Sequence, residues 1–366
     1  MNRFSLLLAF VALVLVTVGV IMVFDTTSAE VVDRSMSSAN THGALIKQIF
    51  YGVSGLVLAF FVWSFGYQNI VRISPFLLFF VCLMLIAVFI PGIGHTINGA
   101  HRWISFFGFS LQPSEMAKYL IPIYLIHQVT SAEKELNLLA FIKILCVLSI
   151  PLGLILLEPD NGTVVIILVT LAVLFFLMKI KLQYWALPLL ILGLIGGVVA
   201  YQMPHVRDRI NIYFNPQADL KGKGHQPYQA KIAAGSGGVF GKGLGESVQK
   251  LNYLPEARSD YIAAIFAEEF GFFGIFCLIA VYLLMAYWGF QIAANAVDRV
   301  GFYMAFTMIF LVVFQAFLNL GVVSGLLPSK GITLPFFSQG GSSLLVNILA
   351  FSILLNVARI PKWKKN

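Results

Sequence analysis

Charge is scarce in this sequence. Asp, Glu, Lys and Arg make up 11% of its 366 residues and 59% are hydrophobic, whereas roughly a quarter of a soluble domain is charged. That imbalance excludes a water-soluble chain built around one large core. Cysteine is nearly missing too. Cys82, Cys146 and Cys277 stand far apart inside apolar runs, with no CxxC or Cys/His spacing. This excludes a disulfide framework and thiolate metal sites, and the three read as packing residues. No basic helix with interleaved aromatics stands clear of the apolar runs, so nothing points to nucleic acid. Internal repeats at the level of motifs and low-complexity linkers are also lacking.

Apolar runs are what the chain has in abundance. Runs of about 17–25 residues mark membrane-spanning helices. Ten are read, at roughly 4–24, 44–65, 73–91, 113–130, 138–157, 163–178, 183–201, 262–290, 301–325 and 341–358. The expected fold is an all-α integral membrane protein, a single polytopic domain over 1–366. It has ten transmembrane helices and a large extracytoplasmic loop, about 202–261, between helices 7 and 8. Pro188 and Gly196-Gly197 interrupt the seventh run, which a packed membrane helix tolerates. The first run exceeds the 7–15 residues of a signal peptide's apolar region and reads as a retained helix.

Basic residues in short loops set the orientation. With the N-terminus inside, the inner segments hold Arg3, Arg72, Lys134, Lys179, Lys181, Arg299, Arg359, Lys362, Lys364 and Lys365. The short outer loops hold only Arg34, Arg102 and Lys330. Both termini are therefore expected in the cytoplasm. The long outer loop carries another basic cluster, including Arg207, Arg209, Lys221 and Lys223, which suits anionic headgroups or a pyrophosphate. Three outer segments, 92–112, 202–261 and 326–340, hold nearly all the unusual polar residues. Function is expected on the extracytoplasmic face.

Tyr253-Leu254-Pro255-Glu256-Ala257-Arg258-Ser259-Asp260-Tyr261 ends the long loop where the eighth run begins. Asp260 has two compatible readings: a helix N-cap and a general base. A helix N-terminus favours its ionised form, while adjacent apolar surface opposes it. Arg258 can hold a phosphate bidentately or pair with Glu256 at the surface. Glu268 and Glu269 lie about 12 Å further along the helix. Acidic residues inside a span face a partner or a polar cavity, so an ion pair is expected for one and cavity lining stays open for the other.

Gln112-Pro113-Ser114-Glu115-x-x-Lys118 opens the fourth run. Glu115 and Lys118 are i,i+3 neighbours, and the expense of burying such a pair favours a cavity role. Arg102, just upstream, is a candidate anion-binding charge. Glu158-Pro159-Asp160-Asn161-Gly162-Thr163 is ordinary turn chemistry. The glycine-rich stretch 235–245 fails as a nucleotide loop, because Ser236 stands where the first glycine belongs and no Ser or Thr follows Lys242. It is expected to bend around a lipid headgroup or pack as a short re-entrant element. Two prolines and Gly340-Gly341 make 327–343 a rigid segment in which Lys330 can face an anion.

In this order, several motifs resemble the SEDS family of bacterial cell-wall polymerases over nearly the whole chain. They are Ala100-His101-Arg102-Trp103-Ile104, Gln112-Pro113-Ser114-Glu115-x-x-Lys118, Glu158-Pro159-Asp160-x-Gly162-Thr163, Ala234-Gly235-Ser236-Gly237-Gly238, Pro255-Glu256-x-x-Ser259-Asp260-Tyr261, Ala267-Glu268-Glu269-x-Gly271 and Gly340-Gly341-Ser342-Ser343. Ser247-Val248-Gln249-Lys250-Leu251 and Leu327-Pro328-x-Lys330-Gly331-x-Thr333-Leu334-Pro335 look like the cell-division branch, FtsW, rather than the elongation branch, RodA. A sporulation-type paralogue has nearly the same signature.

The resemblance implies a multi-pass enzyme of the bacterial cytoplasmic (inner) membrane, at the division septum, that polymerises lipid II. That substrate is an undecaprenyl-linked disaccharide-peptide. It also implies a class B penicillin-binding transpeptidase and other divisome membrane proteins as partners. The family's essential aspartate falls on Asp260, which by analogy deprotonates the acceptor 4-hydroxyl; undecaprenyl pyrophosphate leaves with inversion, so no carboxylate nucleophile is needed. Arg102, Glu115, Lys118, Glu256, Arg258, Glu268, Lys330 and Ser342 are the residues expected around the substrate. Arg102 and Lys118, with Lys330 or Arg258, are the candidates for the pyrophosphate charge. A divalent cation could share that charge, and the sequence establishes no metal site or other cofactor. Gln339 in place of the usual Tyr, Asn161 in place of an apolar residue and Ala263-Ala264 in place of a bulkier pair are departures expected to alter channel shape. Two competing readings are a lipid II flippase, which needs polar groups through the full membrane depth, and a non-catalytic scaffold, for which Asp260 is dispensable.

Overall fold

The computed structural model describes residues 3–33, 41–97, 100–106, 109–132, 136–202, 207, 211–214, 222, 224–251 and 253–359. In chain order its helices are α1 (Arg3–Asp33), α2 (Thr41–Phe65), α3 (Tyr67–Ala87), α4 (Pro113–Thr130), α5 (Leu138–Leu157), α6 (Asn161–Leu177), α7 (Leu182–Gln202), α8 (His225–Ser236), α9 (Ile262–Ala294), α10 (Arg299–Val323) and α11 (Gly341–Arg359). Each apolar run read from the sequence falls on one of these helices. Helices α1, α2, α3, α5, α9, α10 and α11 are long and apolar enough to cross a membrane, and α6 is a shorter apolar helix. Of the charges used for orientation, Arg34, Lys134, Arg209, Lys221, Lys223, Lys362, Lys364 and Lys365 lie outside the described residues.

The expectation of an all-α chain is corrected between α3 and α4. Gly94–Ile97 (β1), Ala100–Phe106 (β2) and Phe109–Leu111 (β3) form an antiparallel sheet in the order β1-β2-β3. Gly94 faces Ile104, and Ile104 faces Leu111. A polar loop here has to pair its own backbone groups, and the aromatic and β-branched residues Trp103, Ile104 and Phe109 favour doing so as strands.

Two apolar cores lie side by side. One joins α1, α9, α10 and α11 through Leu15, Ile265, Met308 and Leu354. The other joins α3, α4, α5 and α6 through Leu85, Ile121, Phe141 and Ile167. Helix α4 serves both, with Tyr119 and Ile123 in the first core and Ile121 and Leu125 in the second. A helix buried on every side has protein rather than lipid as its surroundings. That is why α4 can carry Ser114, Glu115 and Lys118, all buried.

Helix α9 is two helices in one. Gly271 breaks it, with φ 67 and ψ −164. The break frees backbone groups, and the glycine-rich loop after α8 fills it. Phe272 and Phe273 donate their N–H groups to the carbonyls of Gly238 and Val239, while Lys242 and Gly243 donate to those of Glu268 and Glu269. The approach leaves no room for side chains: a Cβ at Gly241 (φ +83) would collide with the Glu269 carbonyl, and one at Gly271 with Gly241 and Val239. Of the two expectations for this loop, packing as a structural element is what occurs. Its glycines meet the helix break at Gly271.

Gly241→Ala and Gly271→Ala are each expected to cost roughly 2–4 kcal/mol, from forced positive φ plus backbone collision. Gly235→Ala, where a Cβ meets nothing within 4 Å, serves as the neutral control. Thermal unfolding of the purified variants checks this; equal melting temperatures for all three would contradict the role assigned to the loop.

Candidate functional site

The segment before α9 is a run of tight turns organised by Glu256. That residue takes a left-handed φ of 57, and its carbonyl accepts from the N–H groups of Ser259 and Tyr261. Its carboxylate accepts from the Ser259 hydroxyl at 2.7 Å. The N-cap position of α9 is Tyr261, with no side-chain cap. The capping reading of Asp260 is therefore corrected: the chain turns one residue later, and the Asp260 carboxylate is left available for other work.

Asp260 is partly buried. Gly331 lies so close that a Cβ there would stand 3.0 Å from Oδ2, which brings the Lys330-Gly331 segment against the carboxylate. Burial, then the negative charge of Glu256, push its pKa up to about 7; Arg102 pulls down and Asp160 pushes up. Asp260, Glu256, Arg102 and Asp160 are thus electrostatic neighbours drawn from three segments between helices. A carboxylate tuned near neutrality is suited to general-base work.

The backbone of Asp260 is tied down from α10. Asn319 Nδ2 donates to the Asp260 carbonyl at 2.8 Å and to that of Ile332 at 2.6 Å. One turn earlier on the same helix face, Gln315 accepts from Lys118 Nζ at 2.6 Å and donates to the Thr333 carbonyl at 2.9 Å. Lys118 also pairs with Glu115 at 2.8 Å. The chain of bonds continues from Thr333 to Ser343 and Asn347, and Asn347 accepts from the Tyr119 hydroxyl at 2.6 Å. Helix α10 therefore gauges the spacing between Lys118 and Asp260.

Arg102, on β2, does not meet a carboxylate directly among its described hydrogen bonds. Its Nε donates to the Glu158 carbonyl at 2.9 Å and its Nη2 to that of Pro159 at 2.7 Å. Gripping a turn by its carbonyls holds the guanidinium in place while leaving its positive charge unneutralised. Asp160 caps α6 through the Thr163 N–H and accepts from the hydroxyls of Thr163 and Ser114 and from Gln112. Glu158 is fully buried, and neither of its carboxylate oxygens has a partner among the described residues. Burial, then Asp160, raise its pKa to about 8, against the pull of Arg102, so Glu158 is neutral at pH 7.

Glu268 and Ser342, two of the residues expected around the substrate, are held by protein partners. Glu268 is fully buried and its carboxylate is taken up by Lys242, by the hydroxyls of Ser236 and Ser247 and by the N–H groups of Val248 and Gln249. It closes the loop onto the helix break instead of lining a cavity. Ser342 accepts from the Gln112 N–H at 2.9 Å and donates to the Ser110 carbonyl at 3.2 Å, joining α11 to the sheet. Glu269 is ion-paired as well, so both acidic residues of the pair have partners. Ala263 and Ala264 are fully buried in the main core, and their small size bears on packing more than on a channel. Gln339 donates its backbone N–H to the Arg258 carbonyl, and its own buried Oε1 has no partner among the described residues.

Comparison with known proteins decides the family. The model of the FtsW, RodA and SpoVE cell cycle proteins matches residues 5–362. The chain belongs to the FtsW/RodA/SpoVE family. A probable peptidoglycan glycosyltransferase FtsW of Trichlorobacter lovleyi is 36% identical, covering 97% of this chain and 93% of the relative. One from a Thioalkalivibrio species is 38% identical, covering 98% and 90%. Stage V sporulation protein E of Bacillus subtilis is 34% identical, covering 98% of each. Among solved structures, a chain of a peptidoglycan synthase complex coordinating polymerization and crosslinking superposes with a TM-score of 0.77 at 24% identity, over 96% of both chains. The rod shape determining protein RodA of Thermus thermophilus superposes at 0.67 and 23% identity, over 96% of this chain and 95% of its own. These likenesses establish a shared fold.

Sequence reasoning passed over several residues of this FtsW/RodA/SpoVE site. Gln315 and Asn319 sit in an apolar run and could have been noticed as amides one turn apart at membrane depth. Glu158 and Asp160 looked like turn residues because their composition is that of a turn; only burial distinguishes them.

The raised Glu158 pKa fixes a sign for stability. Its contribution is fully present below the ordinary carboxylate value of 4.5 and is lost as pH rises through about 8. Glu158→Gln keeps the shape without the titration. Its melting temperature is expected to vary less than wild type between pH 5 and 8 and to equal or exceed it at pH 8, with Glu158→Ala below both. Parallel melting curves for wild type and Glu158→Gln across that range would contradict the assignment.

Proposed function

We propose that this chain is a peptidoglycan glycosyltransferase that polymerises lipid II into glycan strands at the outer face of the cytoplasmic membrane, with Asp260 as general base. Asp260 takes the proton of the acceptor sugar 4-hydroxyl. The freed oxygen attacks the donor anomeric carbon, whose bond to the pyrophosphate oxygen breaks, and undecaprenyl pyrophosphate leaves. Arg102 meets the developing negative charge, and Lys330, Arg258 and the Glu115–Lys118 pair are the further candidates for that role.

The observation that carries this reading is the setting of Asp260: an uncapped carboxylate held near neutral pKa, with Arg102 close enough to influence it. A second feature supports a lipid-linked substrate. An apolar cavity of about 760 Å³, lined by Phe65, Ile73, Met116, Tyr119, Met308 and Val346, lies beside the polar chain of α4 and α10. The gathering of Glu256, Arg102 and Asp160 around Asp260 supports an enzyme over a flippase.

The chain forms one polytopic domain over 1–366 that crosses the membrane ten times, with both termini cytoplasmic and the long loop outside. It acts at the septum with a class B penicillin-binding transpeptidase and other divisome membrane proteins. Relatives named FtsW at 36% and 38% identity, together with the division-type motifs, support the division branch.

Purified protein with its transpeptidase partner is expected to polymerise lipid II, and Asp260→Asn to lose about 100-fold or more of that activity, the usual scale for a general base. Equal polymer from both would end the base assignment and favour the scaffold. Translocation of lipid II across vesicle membranes without joining would favour the flippase.

A further inference from the structure

Lys250 lies in the loop that leads to Asp260, yet its ammonium reaches away from the site. Nζ stands 2.8 Å from both carboxylate oxygens of Asp25 on α1 and 2.7 Å from Oε1 of Glu269 on α9. The side chains of Lys250 and Glu269 are 4% and 0% exposed. One cation between two carboxylates leaves a surplus negative charge, and Glu269 Oε2 has no partner among the described residues. A cavity of about 330 Å³, lined by Asp25, Ser28, Ser247 and Lys250, borders the cluster.

Such a cluster is a poor source of stability. Desolvating buried ions offsets their attraction, and apolar replacements are often neutral or better. What it supplies is geometry, because directional bonds from one ammonium join α1, the loop and α9 at one point. The head of α9, residues 262–270, is set apart from the rest of the helix by the break at Gly271. Asp260 lies two residues before that head, joined to it through Tyr261. At its foot, Glu268 binds the loop and Glu269 binds Lys250, so the head's direction is fixed where those two carboxylates are held.

We propose that Lys250, with Asp25 and Glu269, forms a latch that sets the direction of the α9 head and so places Asp260 for glycosyl transfer. Lys250 is then a positioning residue, remote from the substrate. The inference rests on the reading of Asp260 as the base.

The test is steady-state lipid II polymerisation by the full-length protein with its transpeptidase partner, for wild type, Lys250→Met, Lys250→Arg, Glu269→Gln and Asp260→Asn. The latch predicts that Lys250→Met lowers kcat on the order of 10–100-fold, the scale of an ångström-sized misplacement. KM stays unchanged, and Lys250→Arg recovers most of kcat. Should Lys250→Met fail to fold, Glu269→Gln keeps the Lys250–Asp25 pair and carries the same expectation at smaller size. Wild-type kcat in the folded variant, or a raised KM with kcat intact, overturns the proposal. Full activity of Asp260→Asn overturns the base reading and the latch with it; an inactive Asp260→Asn beside a fully active Lys250→Met overturns the latch alone.

Discussion

A backbone N–H or C=O left unpaired away from water is expensive, and the break in α9 at Gly271 leaves several. Much of the architecture around the site follows from that constraint. The loop after α8 has to enter the gap, so its residues there must be glycines. The carboxylates of Glu268 and Glu269 then become the natural partners for Lys242 and Lys250. A helix head bearing Asp260 is the outcome, braced on one side by the loop and on the other by Asn319.

A second constraint is charge balance without neutralising every cation. Lys118 is paired with Glu115 and hydrogen-bonded to Gln315, whereas Arg102 is gripped by carbonyl oxygens. Glu158, whose carbonyl Arg102 holds, has its own carboxyl pushed toward the neutral form by burial. The same physics tunes Asp260, where burial and Glu256 raise the pKa against the pull of Arg102. One cation thus restrains two carboxylates without being ion-paired to either among the described residues.

Much of this was legible in the sequence. The apolar runs located the helices, because the period and length of a span are written in composition alone. Asp260 stood out as a charge at the head of a run and Arg102 as one in the loop before another, and the two are electrostatic neighbours. The small sheet was hidden because strands of three to seven residues in a polar loop give little periodicity. The partners of Glu268 were not legible, because sequence shows that an acid lies in a span but not which distant loop satisfies it. The glycine-rich stretch was expected to bend around a lipid headgroup or to pack as a short re-entrant element, and what it packs against, a break at Gly271 inside an otherwise continuous apolar run, left no local sign beyond one glycine.

The pH dependence of kcat/KM for lipid II polymerisation tests the central claim most directly. A base must be deprotonated to act, so an Asp260 pKa of about 7 in the free protein requires the rate to climb through neutrality. At pH 6 only roughly a tenth of the groups are ionised, so kcat/KM should fall about tenfold below its alkaline plateau. A kcat/KM that stays level from pH 5.5 to 8 would contradict the account.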